Sequence, residues 1–320
     1  MNVYNKSGKM KQTILGAGGA IGLELAKELP NYTSDIRLVA RNPKKINATD
    51  ELLSANLFIR EEVFKAIEGS AIVYLLIGLE YNTKVWQQMW PPLVKNVIDA
   101  CVQYRARLVF FDNVYAIGGD NVNHITEASP ISPASKKGEV RAEVNKLILN
   151  SIESQTLDAI IARSPDFFGS VINKSMLMIM VYNNLRKNKK AQWVCNAKAI
   201  HSMGYTPDLG KGTALLGNTP AAYNQIWNLP TDPQKITGEE WIQLFAEEMH
   251  AKNQYQVLPK WGIQTLGLFI PILKELSEMC YQYDRDYYFD STKFNRHFSY
   301  VPTINREAVK QTLAAVEMKF

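Results

Sequence analysis

Apolar positions along this chain fall into two alternating periods. Thr13, Ile14 and Leu15 form a short apolar run suited to a buried parallel strand, and Ile21, Leu25 and Leu29 then recur at helical spacing. A second strand is expected at Ile36 to Ala40, a helix at Arg60 to Ile67 and a strand at Ile72 to Ile77. Pro91 and Pro92 read as a helix start, where a missing amide donor is harmless, and Leu93, Val94, Val97, Ile98 and Cys101 give that helix an apolar stripe. The strand Arg107 to Phe111 leads to a helix with Val140, Val144, Leu147 and Ile148 on one face, and Asp158 to Arg163 reads as a sixth strand. This alternation predicts an α/β fold with a doubly wound parallel sheet.

The character changes after Gly169. Ser175 to Arg186 reads as a Met-rich helix, and the basic run Arg186-Lys187-Asn188-Lys189-Lys190 as its solvated end. Strands near Ala191 to Val194 and Gln225 to Leu229 enclose a helix near Pro207 to Leu216, and further helices are expected at Gly238 to Met249 and Arg306 to Met318. The most apolar stretch, Leu266 to Leu273, is broken by Gly267 and Pro271 and is far shorter than the roughly 20 residues of a spanning helix. It reads as a packing element. Residues 1 to 9 read as a frayed leader before the first strand.

Charge and composition narrow the classes. The chain has 320 residues and a net charge of +5, with its basic residues spread out, which gives no case for nucleic acid. No membrane partner is expected either, and the remaining class is a small-molecule substrate. Cys101, Cys195 and Cys280 lack any Cys-x-x-Cys pairing, and His124, His201, His250 and His297 are scattered, so neither a disulfide framework nor a metal site is expected. A reducing, cytoplasmic setting follows.

The richest chemistry lies between the first strand and the first helix. Gly16, Gly19 and Gly22 are spaced Gly-x-x-Gly-x-x-Gly: the first allows a tight turn, the second a close approach to phosphate, and the third close packing of helix on strand. With Gly18, Ala20 and Ile21 they present the amides and dipole of a helix N-terminus to an anion, which points to a dinucleotide pyrophosphate. Arg41 follows the second strand where a carboxylate would bind the 2′-hydroxyl of NAD, so NADP is preferred over NAD, unless Arg41-Asn42-Pro43-Lys44-Lys45 is only a solvated turn. The expected division is a dinucleotide-binding domain over 11–169, with 201–229 returning to it, and a substrate or lid domain over most of 170–320.

Further motifs carry a family resemblance. Asp112-Asn113-Val114-Tyr115 after the fifth strand, Glu127-Ala128-Ser129-Pro130, Lys137-Gly138-Glu139-Val140-Arg141, and Arg163-Ser164-Pro165-Asp166-Phe167-Phe168-Gly169 resemble an extended short-chain dehydrogenase/reductase. More narrowly, the chain is similar to bacterial NAD-dependent epimerase/dehydratase family proteins, over residues 11 to about 315. The resemblance implies that Asn56 and Leu57 lie near the adenine, that Ile77, Gly78 and Pro165 border the cofactor, and that the helices from Pro91 and Lys137 form a homodimer interface.

One departure matters for chemistry. Family members use a Tyr-x-x-x-Lys pair, with lysine and cofactor lowering the tyrosine pKa. Here the aligned helix reads Lys137-x-x-x-Arg141, and the Ser position is Asp112 or Asn113. Lys137 and Arg141 share a helical face. Lys137 would then bind the nicotinamide ribose or act as a general base or acid, Arg141 would hold a substrate anion, or the two form a solvated basic pair beside Glu139 and Glu143. Asp112 and Asn113 either join the chemistry or cap the strand end, and Tyr115 either supplies a phenol or packs. Tyr81, Trp86, Phe167 and Phe168 are candidate substrate-wall residues. Three activities compete: hydride transfer on a carbonyl or sugar-like alcohol, a non-catalytic NADP sensor or scaffold, and a nucleotide-sugar epimerase or dehydratase.

Overall fold

The computed structural model describes residues 10–171 and 175–318; the expected leader, residues 1–9, lies outside them. The chain forms two compact units, the first built from residues up to Asn113 with Val140–Arg163 and Leu209–Leu229, the second from Val114–Glu139, Ser164–Asp208 and the residues from Pro230 onward.

The first unit is a seven-stranded sheet. In chain order its elements are β1 (Gln12–Leu15), α1 (Ala20–Glu28), β2 (Ile36–Ala40), β3 (Glu51–Ser54), α2 (Arg60–Ile67), β4 (Ile72–Leu75), α3 (Thr83–Tyr104), β5 (Arg107–Asn113), α4 (Lys136–Glu153) and β6 (Ala159–Ser164). The second unit then contributes β7 (Phe167–Phe168), α5 (Asn183–Leu185), β8 (Ala191–Val194) and β9 (Gly204–Tyr205) before α6 (Thr206–Gly217) and β10 (Gln225–Asn228) return to the sheet. The strand order is β10-β6-β5-β4-β1-β2-β3, and the pairs β1–β2, β2–β3, β1–β4, β4–β5 and β6–β10 are parallel. Each of β1, β4 and β6 is buried at every position, as strands covered on both faces must be. The order reverses at β1, between β2 and β4, and such a switch point is where doubly wound sheets open a ligand crevice.

The start of α3 differs from expectation. The helix begins at Thr83, where the Asn82 side chain accepts from the amides of Lys84 (3.0 Å) and Val85 (3.2 Å), and Pro91 and Pro92 lie inside it. Two prolines leave the carbonyls of Gln87 and Gln88 without their usual donors, and both residues are exposed, so water can satisfy them. Trp90, Leu93, Val94, Val97 and Cys101 bury the opposite face.

The second unit has its own core. Phe168, Leu177, Val181, Trp193, Trp241, Phe245, Val309 and Leu313 pack together, joining a π-helical turn Leu177–Tyr182 to α7 (Gly238–Glu248) and to the last helix, α11 (Asn305–Glu317). A capping box between Thr237 and Glu240 starts α7, and β8 pairs in parallel with β11 (Tyr255–Leu258). Between β11 and α11 in the chain lie α8 (Lys260–Leu266), α9 (Pro271–Ser277) and α10 (Thr292–His297). The apolar stretch Leu266 to Leu273 is not the packing element its composition suggested: Leu266, Leu268, Phe269, Ile270 and Ile272 are exposed, because Gly267 and the half-buried Leu273 occupy the inward positions of the short α8–α9 hairpin.

Candidate functional site

The glycine turn has the geometry its spacing implies. Gly16 sits at φ +97°, and a Cβ there would lie 3.0 Å from the backbone of Leu76 and Ile77, just beyond β4. Its amide and that of Ala17 donate to the Val39 carbonyl at 2.9 and 3.1 Å, so the turn is tied to the end of β2 as well. At Gly22 a Cβ would come within 2.8 Å of the Gly16 carbonyl oxygen and 2.9 Å of the Ala17 Cα, so only glycine lets α1 lie this close to the turn. Gly18 and Gly19 are exposed, and Gly19 caps α1 without a side-chain bond. The first amides of α1 therefore face outward, with no acid in the first turn to compete with an anion.

Other residues of the first unit gather at the carboxyl ends of its strands. Arg41 follows β2, is exposed, and pairs with no carboxylate of the described residues. Asn56 follows β3 and closes a turn by accepting from the Phe58 amide at 3.2 Å, while Leu57 is buried. Ile77 is half-buried and Gly78 exposed beyond β4. Tyr81 meets Trp86 edge-on at 6.1 Å, and the Trp86 indole donates to the Glu80 carbonyl at 2.9 Å.

Asp112 and Arg141 form a buried pair in this unit. The Arg141 guanidinium lies 4.2 Å from the Trp90 ring centre and 5.2 Å from that of Phe110, and its Nε is 3.0 Å from Asp112 Oδ1. Asp112 is fully buried and its other oxygen accepts from Asn145 at 2.6 Å. Asn113 ends β5, half-buried. Arg141 is thus held inside an aromatic cage, with about 5% of its surface exposed.

Lys137, one turn earlier on α4, belongs to the second unit. It is fully buried, and its ammonium donates to the carboxylates of Glu275 and Glu278, the latter at 2.5 Å, and to the Glu275 carbonyl at 3.4 Å. Gly138 follows it because a Cβ there would lie 2.4 Å from the Tyr115 carbonyl oxygen. That same carbonyl accepts from the Tyr281 phenol at 3.4 Å, so Tyr115 is anchored through its backbone, half-buried. Glu275 and Glu278 had no signal in the sequence, being about 140 residues from their partner.

The segment after β6 separates the remaining candidates. Pro165 is buried and Phe167 half-buried. Phe168 is fully buried against Trp241 (5.4 Å), Tyr205 (5.8 Å) and Phe245 (6.4 Å), so it is a core ring and not a substrate wall. Asp166 between them accepts from Tyr283 at 2.5 Å and approaches His201 Nε2 at 3.2 Å. His201 is stacked between Tyr283 and Tyr287, each 4.5 Å away. Burial pushes the Asp166 carboxyl up, but the bonds and charge from His201 and the Tyr283 phenol outweigh it and hold it below its usual range. Asp166 lies in the motif after β6 and His201 among the scattered histidines, but no sequence signal joins them to Tyr283 and Tyr287, more than 80 residues further along the chain. Among the described residues no group of His, Cys, Asp and Glu could hold a metal ion, and no helix is long and apolar enough to cross a membrane.

Parallel strands meeting at a switch point, with a glycine turn at a helix N-terminus, define a Rossmann-type nucleotide-binding domain. Residues 16–139 match a family model described as NAD(P)H-binding. No curated protein matches the chain. Among solved structures, it is similar to a dTDP-glucose 4,6-dehydratase from Streptomyces venezuelae with NAD bound (14% identity, TM-score 0.78, 97% of each chain covered). It is also similar to a UDP-glucose 4-epimerase from Thermus thermophilus in complex with NAD (15%, TM-score 0.75, 96% of this chain and 99% of that one). A third is a UDP-N-acetylglucosamine 4-epimerase from Bacillus cereus (13%, TM-score 0.74, 96% and 99%). The chain therefore has the fold of the NAD-dependent epimerases and dehydratases, the extended short-chain dehydrogenase/reductase fold.

Proposed function

We propose that the chain is an NADP-dependent oxidoreductase that transfers hydride to or from a carbonyl or sugar-like alcohol without a Tyr-x-x-x-Lys pair. The observation that carries this reading is the open glycine turn at α1 with the exposed Arg41 beyond β2, which no carboxylate among the described residues pairs. The turn would hold the pyrophosphate on the α1 amides, and Arg41 the 2′-phosphate through its planar guanidinium. Bound NADP supplies or accepts the hydride. The substrate oxygen must gain or lose a proton in the same reaction, and Tyr115 is the candidate donor, because the donors of Lys137 are already engaged by Glu275 and Glu278.

Titration with NADPH and NADH tests the cofactor half. NADPH should bind more tightly, and Arg41→Ala should weaken NADPH by about tenfold while leaving NADH unchanged; equal affinities sink the NADP assignment. A panel of aldehydes, ketones and alcohols followed at the nicotinamide absorbance tests the chemistry. Tyr115→Phe should lower kcat by about a hundredfold or more with cofactor affinity intact.

A second reading, a cofactor-binding sensor without catalysis, is favoured by the engagement of both members of the Lys137-x-x-x-Arg141 pair, Lys137 by carboxylates and Arg141 by Asp112. Tight NADPH binding with no turnover across the panel would select it. Nucleotide-sugar epimerisation or dehydration ranks third, since the tyrosine it would need is absent from α4.

A further inference from the structure

The α8–α9 hairpin presents an apolar surface that neither the sheet nor the core of the second unit requires. Trp261 is 71% exposed, Leu268 79% and Phe269 82%, and Leu266, Ile270 and Ile272 are exposed with them. Only Ile263 and Gly267 turn fully inward in this stretch. At Gly267 a Cβ would lie 3.0 Å from the Lys274 backbone, so the two short helices pack tightly and push their large side chains out at the turn. Isolated exposed apolar residues need no explanation, but six within twelve residues mark an interaction surface.

The charges around this surface say what it meets. Residues 249–274 contain Lys252, Lys260 and Lys274 and no aspartate or glutamate. All three lysines are exposed; Lys260 pairs with Asp284 at 2.8 Å, which leaves Lys252 and Lys274 as the cations available to a partner. The acids that follow, Glu275 on α9 and Glu278 just after it, are turned to Lys137. A second copy of the chain meeting this face through a two-fold axis would bring Lys252 and Lys274 against the same segment, which has no acid to pair them. An anionic bilayer instead accepts every part: leucine, isoleucine and phenylalanine side chains in the acyl boundary, tryptophan at the headgroup level, and ammonium groups on lipid phosphates.

We propose that the α8–α9 hairpin docks on the surface of an anionic lipid bilayer, inserting Leu268 and Phe269 at its tip. An attachment of this kind needs no spanning helix, so it does not conflict with the absence of one among the described residues. The expectation of no membrane partner rested on the shortness of the Leu266 to Leu273 stretch and on an N-terminus without the apolar core of a signal peptide, and neither bears on attachment to a bilayer surface.

Co-sedimentation of the full chain with phosphatidylcholine vesicles, with and without phosphatidylserine, tests the proposal. Binding is expected on the phosphatidylserine vesicles and should weaken with salt. Of the six tryptophans, five are buried, so a blue shift of emission on vesicle addition reports Trp261. The double variant Leu268→Ser with Phe269→Ser should lose vesicle affinity by at least about tenfold. Its melting temperature and NADPH affinity should be unchanged, since both side chains are exposed. Lys274→Gln should weaken binding to the anionic vesicles. The proposal is overturned by the absence of binding to either vesicle, by binding that survives the double substitution, or by a concentration-dependent dimer that the double substitution abolishes in a chain that ignores vesicles.

Discussion

Single atoms decide the glycine turn. At Gly22 the space for a Cβ is taken by the Gly16 carbonyl oxygen and the Ala17 Cα, both backbone, so neither can swing aside as a side chain would. Gly22→Ala should therefore lift α1 from the turn, costing about 1–3 kcal/mol of stability and more than about tenfold in NADPH affinity. Urea unfolding and fluorescence titration read the two effects, and an alanine variant with native stability and affinity would refute the packing argument. These demands are local, which is why Gly16 and Gly22 could be read from spacing alone. The partners of Lys137 could not: Glu275 and Glu278 reach it only through the fold, and a basic pair at i and i+4 carries no mark of which carboxylates each member will meet. Arg141 shows the same limit, because Asp112 stood in its own motif and only the packing of Trp90 and Phe110 makes the two a caged pair.

At the level of elements, the apolar period located strands and helices alike, while the ends of β4 and β5 each fall two residues from the expected bounds. β2 and α2 fall at the residues the pattern marked, and β6 and α11 within one residue of them. It misled where a local signal competed with a weaker but decisive one. Pro91-Pro92 is a strong start signal, yet Asn82 caps the helix eight residues before Trp90 because its carboxamide satisfies two of the orphan amides. Asn82→Ala should lower stability by about 1 kcal/mol, measured by urea unfolding, whereas Asn82→Asp should retain most of the native value. An alanine variant as stable as the parent would show that the helix does not depend on this cap. The hairpin of α8 and α9 misled for a different reason: apolar composition specifies that a surface must be covered, but not by which molecule.

Across the whole molecule, both units carry the same two kinds of ionisable group, and these set a common pH window. Glu51 and Asp99 in the first unit, and Asp166, Asp284 and Asp290 in the second, are each pushed up by burial but held below their ordinary values by cationic or hydrogen-bonding partners that outweigh it. A carboxylate with a depressed folded pKa stabilises the native state above its unfolded value, 3.8 for aspartate and 4.5 for glutamate, and this stabilisation is lost as pH falls through the folded value. At the alkaline end the sign reverses. Burial pushes the phenols of Tyr74 and Tyr223 in the first unit, and of Tyr281 and Tyr287 in the second, above the ordinary value of 10.0. A raised group is fully stabilising below its unfolded value and loses that contribution as pH climbs toward the folded one, by up to about 1.4 kcal/mol per pH unit for each fully buried phenol. Stability from urea unfolding should therefore be flat from about pH 5.5 to 9 as far as these groups are concerned, fall below about pH 4, and fall more steeply above about pH 10, where four phenols act together. Asp166→Asn should flatten the acid limb and, because the Asp166 charge helps to raise the phenols of Tyr281 and Tyr287, weaken the alkaline limb as well, while Tyr74→Phe should flatten the alkaline limb alone. A chain that keeps its neutral-pH stability at pH 3 or at pH 11 would mean that these groups share the environment of the unfolded state, and that the packing around Asp166 and Tyr74 is looser than their burial implies.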